Sequence, residues 1–112
     1  MSVTIYHNPK CSKSRETLAL LQEKGIAASI VEYLKTPPSA AELTRILGLL
    51  GKPAKDVLRK KEAAEAGVDP TLPEAELIAA MVAHPAVIER PIVVTATQAR
   101  IGRPPESVLE IL

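Results

Sequence analysis

The first 34 residues constrain the fold most, because two strand-like segments enclose one helix-like segment. Val3 to Tyr6 and Ala28 to Leu34 are short runs rich in β-branched and aromatic residues, which is typical of strands. Cys11 to Gly25 carries leucines at helical spacing and ends on glycine, the residue favoured just past a helix end. A strand–helix–strand unit of this length predicts two parallel strands joined by a right-handed crossover.

The middle of the chain has the pattern of several short helices. Ser39 and Glu42 form a capping box, and apolar residues at helical spacing follow until Gly51 ends the helix. Ala54 to Ala66 is predicted as a second helical stretch, which holds a basic run, and Thr71 to His84 as a third. These helices are expected to form one contiguous lobe.

The pattern returns to strands after this lobe. Ile92 to Thr95 and Ala99 to Arg103 predict an antiparallel hairpin, and a short helix follows Pro104. A parallel half joined to an antiparallel half predicts the α/β class with a thioredoxin-like fold: a mixed four-stranded sheet with an inserted helical lobe. We expect a single domain over residues 1–112, with the helical insertion at about 38–88.

Composition excludes several classes of function. The net charge of +1 gives no field that would favour nucleic acid or an anionic membrane as partner. The longest apolar run, Leu77 to Ala83, falls well short of the ~20 residues of a membrane span. The N-terminus is too polar for a secretory signal, so a cytoplasmic protein is expected. One cysteine and two histidines without a ligand motif predict no internal disulfide and no metal site.

Cys11 is the main candidate for chemistry. It falls in the loop between the first strand and the first helix, where open α/β sheets place their ligands. A helix N-terminus stabilises an anion, and Lys10, Lys13 and Arg15 flank the cysteine, so a lowered thiol pKa is expected. The alternative is an inert buried cysteine, the commoner role of a free thiol. The polar neighbours favour a reactive thiolate.

His7 and Ser14 are candidate catalytic residues, because each is near enough in sequence to donate a hydrogen bond to the Cys11 sulfur. The alternatives are that His7 satisfies a hydrogen bond at the strand end and that Ser14 caps the first helical turn. His84, at a helix end before a proline, is expected to be a cap or a surface residue.

Two common cysteine motifs are absent. A dithiol redox enzyme needs Cys-x-x-Cys, whereas Ser14 occupies the second position. The phosphatase-type anion loop needs an arginine six residues after the cysteine, where this chain has Thr17. An oxyanion beside Cys11 must therefore be held by arginines from distant segments.

Five segments in fixed order carry a family resemblance: Tyr6 to Arg15, Tyr33 to Pro38, Leu58 to Lys60, Glu89 to Val94, and Arg100 to Glu106. Over nearly its whole length the chain resembles the glutaredoxin-coupled arsenate reductase family, in particular its short arsenate-reductase-like subgroup. The resemblance implies that Cys11 is the nucleophile and that Arg59, Arg90 and Arg103 bind the oxyanion. It also makes Pro91 the candidate for the cis-proline of a thioredoxin-like fold.

The chemistry fits this assignment. Guanidinium groups offer rigid donor forks that match a tetrahedral oxyanion, although the commoner role of an arginine is a surface ion pair. Arg15 and Arg100 are expected to be supporting or solvated residues. The resemblance implies reduction of arsenate to arsenite with no bound cofactor, glutathione as co-substrate and glutaredoxin as partner.

Two other functions remain open. One is a monothiol oxidoreductase that exchanges glutathione with protein disulfides and uses the arginines for the glutathione carboxylates. The other is a non-catalytic regulator similar to the Spx type, which shares the fold and binds RNA polymerase. Those regulators typically carry Cys-x-x-Cys as a redox switch, which Ser14 removes here.

Overall fold

The computed structural model describes residues 2–112, which fall into two compact units. The first unit comprises residues up to Thr36 together with Arg90–Leu112, and the second comprises Pro37–Glu89. The first unit holds the sheet, one long helix and a C-terminal 3₁₀ helix: β1 (Thr4–His7), α1 (Ser12–Glu23), β2 (Ser29–Glu32), β3 (Ile92–Val94), β4 (Ala99–Ile101) and the 3₁₀ helix Pro105–Ile111.

The four strands are ordered β2-β1-β3-β4. β1 pairs parallel to β2 with Ile5 opposite Ile30, and antiparallel to β3 with Ile5 opposite Val93. β3 and β4 form the predicted antiparallel hairpin, with Val93 opposite Arg100. The predicted α/β class and thioredoxin-like arrangement are therefore confirmed, and β1, at the centre, carries the chain directly into the Cys11 loop.

An apolar core joins α1 and the C-terminal 3₁₀ helix to the sheet. Its buried members come from β1, β3, both helices and the residue before β1: Val3, Ile5, Leu21, Val93, Val108 and Ile111. α1 ends at Glu23 with Lys24 as its C-cap, and the predicted glycine stop follows at Gly25, whose φ of 74° lies in the left-handed region that favours glycine. These contacts pack α1 against the sheet.

β2 is shorter than predicted. The expected strand ran from Ala28 to Leu34, but the amides of Lys35 and Thr36 both donate to the carbonyl of Glu32, which turns the chain out of the sheet. Beyond the strand, Tyr33 is buried and Leu34 is exposed.

The second unit is the predicted helical insertion. It contains α2 (Ala40–Leu50), a 3₁₀ turn (Ala54–Val57), α3 (Lys60–Ala66), α4 (Glu74–Ala83) and a second 3₁₀ turn (Pro85–Val87). The Ser39 side chain caps α2 by accepting from the amide of Glu42, as the capping box predicts. His84 is the C-terminal cap of α4, in agreement with its expected role.

The prediction of one helical stretch over Ala54 to Ala66 is wrong. Leu58 is extended and forms a β-bridge with Ile88, flanked by hydrogen bonds from Arg59 N to Val87 O and from Glu89 N to Val57 O. This long-range pairing interrupts the helix, so Arg59 lies at the N-cap of α3 rather than inside a helix.

No helix within residues 2–112 has the length and apolar character needed to cross a bilayer. The organisation of residues 1–112 as a single domain stays a prediction.

Candidate active site

Cys11 lies at the N-cap of α1, and the loop of residues 8–10 joins it to the end of β1. Its backbone is extended, with φ −92° and ψ 123°, its amide donates to the Asn8 carbonyl at 3.0 Å, and its own carbonyl accepts from Arg15 N. These bonds hold the loop tightly and leave the thiol at intermediate exposure. The interpretation of Cys11 as an inert buried residue does not fit this position.

The buried Ser14 hydroxyl ties the loop to the strand. Its Oγ lies 2.6 Å from Nδ1 of His7 and accepts from the amide of Asn8 at 3.0 Å. Since the amide is the donor in that second bond, the single hydroxyl proton remains available to His7 when the ring is protonated at Nε2. Ser14 is therefore not a helix cap, because the amide it binds precedes the helix.

The catalytic roles of Ser14 and His7 stay predictions. The backbone N–H of Ser14 donates to Cys11 Sγ. The Nδ1 of His7 contacts the Ser14 hydroxyl instead of the sulfur. His7 thus supports the loop that carries the cysteine.

Arg103 and Arg90 both reach the sulfur. Arg103 Nη2 lies 3.4 Å from Cys11 Sγ, while its Nε donates to the Arg90 carbonyl at 2.8 Å. The Arg90 side chain also donates a hydrogen bond to Sγ. The Arg90–Pro91 peptide is cis, as expected for the proline beside the thiol, and Arg103–Pro104 is also cis.

These contacts lower the pKa of the Cys11 thiol. Burial, the largest single influence, opposes the shift because it disfavours the thiolate. The Ser14 N–H, the Arg90 hydrogen bond and the positive charges of Arg103 and Arg90 together outweigh the effect of burial. The net direction favours the ionised sulfur, which is the nucleophilic form.

His7 is kept neutral near neutral pH. Burial lowers the pKa of its imidazole, Glu32 raises it, and Arg15 adds to the lowering. A neutral ring suits the short contact with the Ser14 hydroxyl, because one of its nitrogens can accept.

Arg59 belongs to the second unit, where two carboxylates bind it. Its Nε donates to Glu62 at 2.8 Å and its Nη1 to Glu89 at 2.7 Å. Burial lowers its pKa, but the two carboxylates outweigh that effect and raise it. The role of Arg59 as an anion ligand stays a prediction.

Sequence reasoning missed the part played by Asn8. This buried residue accepts from Cys11 N through its carbonyl and from Lys10 N through Oδ1, so it shapes both sides of the loop. An Asn before a proline and a helix start is a known turn signal and could have indicated this role. Arg15 is a supporting residue, as expected: its Nη1 donates to the Pro9 carbonyl at 2.9 Å.

Cys11 therefore lies at a helix start with Arg90, Arg103 and a cis-proline beside it. Residues 6–111 match the family model described as the ArsC family. The chain belongs to the ArsC family. The family resemblance seen in the five segments is thereby confirmed.

Three relatives that match this chain over nearly their full lengths show how similar it is to known proteins. An uncharacterized protein of Escherichia coli K12 is 53% identical, over 98% of this chain and 96% of that protein. An arsenate reductase of Haemophilus influenzae is 50% identical over the whole of both chains. The solved structure of an arsenate reductase from Vibrio cholerae superposes with a TM-score of 0.93 at 55% identity, covering 100% of this chain and 98% of that one.

The site contains no grouping that would hold a metal. Among residues 2–112, no three His, Cys, Asp or Glu side chains converge as metal ligands do.

Proposed function

We propose that this ArsC-family protein is an arsenate reductase that uses glutathione as co-substrate and glutaredoxin as protein partner. The observation that carries the proposal is the Cys11 thiol, whose pKa is lowered while Arg103 Nη2 lies 3.4 Å from its sulfur. A thiolate beside guanidinium donors suits attack on a tetrahedral oxyanion. The relatives named as arsenate reductases support arsenate as that oxyanion.

The arginines bind the substrate in this proposal. Arg90 and Arg103 supply donors on the sulfur side, and they hold arsenic within reach of Sγ while neutralising charge on the oxygens. Arg59 is the third ligand. Glu62 and Glu89 bind its Nε and Nη1 and hold its guanidinium in place.

The reaction requires two thiols, of which the chain provides one. The Cys11 thiolate attacks arsenic(V), an S–As bond forms, and one oxygen leaves as water after taking up protons. The thiolate of glutathione then attacks the Cys11 sulfur, so the S–As bond breaks and its electron pair stays on arsenic. The products are arsenite and a Cys11–glutathione disulfide.

Glutaredoxin completes the cycle. Its thiolate attacks the glutathione sulfur of the mixed disulfide, and the Cys11 thiolate leaves with the electron pair. The stabilised thiolate at Cys11 is a good leaving group for this step, because a thiol of lower pKa leaves faster. We place the reaction in the cytoplasm, where thiols are kept reduced.

Arsenite formation in the presence of glutathione and glutaredoxin tests the proposal. Wild type should turn over and Cys11→Ser should be inactive, because a hydroxyl replaces the ionised sulfur. Arg90→Lys and Arg103→Lys keep the charge but lose the donor fork, so kcat/KM should fall about 100-fold. Arg45→Lys, on the exposed face of α2, is the matched control and should equal wild type.

Omitting one component at a time separates the rival functions. Without glutathione or glutaredoxin, arsenite should stop forming after at most one turnover per protein. If wild type makes no arsenite but removes glutathione from glutathionylated proteins, the protein is a monothiol disulfide oxidoreductase. Equal arsenite production by wild type and Cys11→Ser would refute the nucleophilic role of Cys11.

A further inference from the structure

Gly102 lies at a point where no side chain fits. A Cβ built on it would stand 2.5 Å from Thr17 Oγ1 and 2.8 Å from Pro91 Cγ, both shorter than ordinary contacts. Gly102 is buried, and its φ is not in the left-handed region. The residue is therefore required for space and not for backbone conformation.

The close approach joins three segments of the first unit. Thr17 is fully buried on α1, and its Oγ1 donates to the Lys13 carbonyl, which fixes its rotamer. On the other side, Gly102 N donates to the Pro91 carbonyl at 2.9 Å. The end of β4 is thus pressed against both the Cys11 helix and the cis-proline segment.

Arg103 follows directly and extends this contact to the sulfur. Its Nε donates to the Arg90 carbonyl, one residue before the carbonyl that Gly102 binds, and its Nη2 reaches Cys11 Sγ. A shift of β4 away from α1 by a fraction of an ångström would lengthen that 3.4 Å contact and misalign the bond to Arg90.

We propose that Gly102 is a positioning residue of the site: its missing side chain lets β4 pack on Thr17 and Pro91, and that packing sets the Arg103 guanidinium against Cys11. The assignment rests on the proposed role of Arg103 but not on the identity of the oxyanion. The combined side-chain volume at positions 102 and 17 determines where Arg103 lies.

The test measures the ionisation of Cys11 through the ultraviolet absorbance of its thiolate as a function of pH. The chain has one cysteine and two tyrosines, so subtracting the titration of Cys11→Ser, which keeps both tyrosines, leaves the signal of Cys11. At pH values below the titration midpoint, the thiolate fraction of Gly102→Ala should be about five- to tenfold lower than that of wild type, as expected when a neighbouring charge moves away. Adding Thr17→Ala removes two of the three close atoms and should restore most of that fraction.

Gly48→Ala is the matched control. Gly48 lies inside α2, and a Cβ there would meet nothing within 4 Å. Its Cys11 titration should equal that of wild type. A purely structural role of Gly102 would lower the unfolding midpoint without moving the titration of a folded variant.

Two results would overturn the proposal: a folded Gly102→Ala with wild-type titration, or a double variant whose thiolate fraction stays as low as that of Gly102→Ala. If Gly102→Ala alone does not fold, the double variant is compared with Thr17→Ala, because removing the Thr17 side chain makes room for the added methyl. Nearly equal thiolate fractions in these two proteins support the proposal, and a fraction several-fold lower in the double variant refutes it. The titration contains no arsenate, so a failed arsenate assay leaves this result intact.

Discussion

Replacing Arg103 by methionine removes a cation whose Nη2 lies 3.4 Å from Cys11 Sγ. At that distance two unit charges attract by about 1 kcal/mol in water and by about 5 kcal/mol at an effective dielectric constant of ~20. Because this contact is exposed to solvent, we take the lower part of the range, about 1 to 2 kcal/mol. At pH values below the titration midpoint, the thiolate fraction of Arg103→Met should therefore be about 5- to 30-fold lower than that of wild type.

Thiolate absorbance against pH measures this change directly. A rate of alkylation at one pH would understate it, because a thiolate of higher pKa is also a better nucleophile. The difference should shrink as salt screens the exposed charge. Arg100→Met is the control: this arginine also lies near the end of the sheet, but it pairs with Glu110. An Arg103→Met titration identical to wild type at low salt would refute the electrostatic account of the site.

Two further predictions concern stability. Ser14→Ala removes the hydroxyl that holds His7 and the amide of the buried Asn8, so the free energy of unfolding should fall by about 2 to 4 kcal/mol in urea titrations. The stability of wild type relative to Cys11→Ser should rise with pH between the folded and unfolded pKa values of Cys11. The folded pKa is the lower one, so this stabilisation is complete above the unfolded value and is lost as pH falls through the folded value.

Each stability prediction has its own control. Ser12→Ala, an exposed residue on the same helix, should change the free energy of unfolding by no more than about 0.5 kcal/mol. A Ser14→Ala protein as stable as Ser12→Ala would show that the hydroxyl network contributes little. A difference between wild type and Cys11→Ser that is flat with pH would show equal pKa values in the folded and unfolded chains.

The fold was predictable where local pattern decides it. β1, α1 and the stop of α1 just before Gly25 follow from strand composition, helical spacing and a glycine signal, all of which act within a few residues. The continuous helix over Ala54 to Ala66 was wrong because the deciding interaction, the Leu58–Ile88 bridge, spans the helical unit. Helical spacing carries no information about a partner strand so far away in sequence.

In the candidate site, too, local features were predictable from the sequence and long-range contacts were not. Cys11 at a helix start is visible in the sequence, because strand and helix signals lie on either side of it. The approach of Arg103 to Cys11 joins residues 92 positions apart, and only the family resemblance pointed to it. The requirement for Gly102 depends on packing against Thr17, which no local pattern encodes.

The most direct test of the whole account compares the titration of Cys11 in the folded protein with that in the same chain unfolded by guanidinium. The unfolded chain keeps the cysteine but loses Arg90, Arg103 and the Ser14 amide as neighbours. We predict a lower titration midpoint in the folded protein. We also expect the folded midpoint to shift when an oxyanion competes with the sulfur for the arginines. A folded midpoint equal to or above the unfolded one would contradict the claim that this site holds Cys11 as a thiolate.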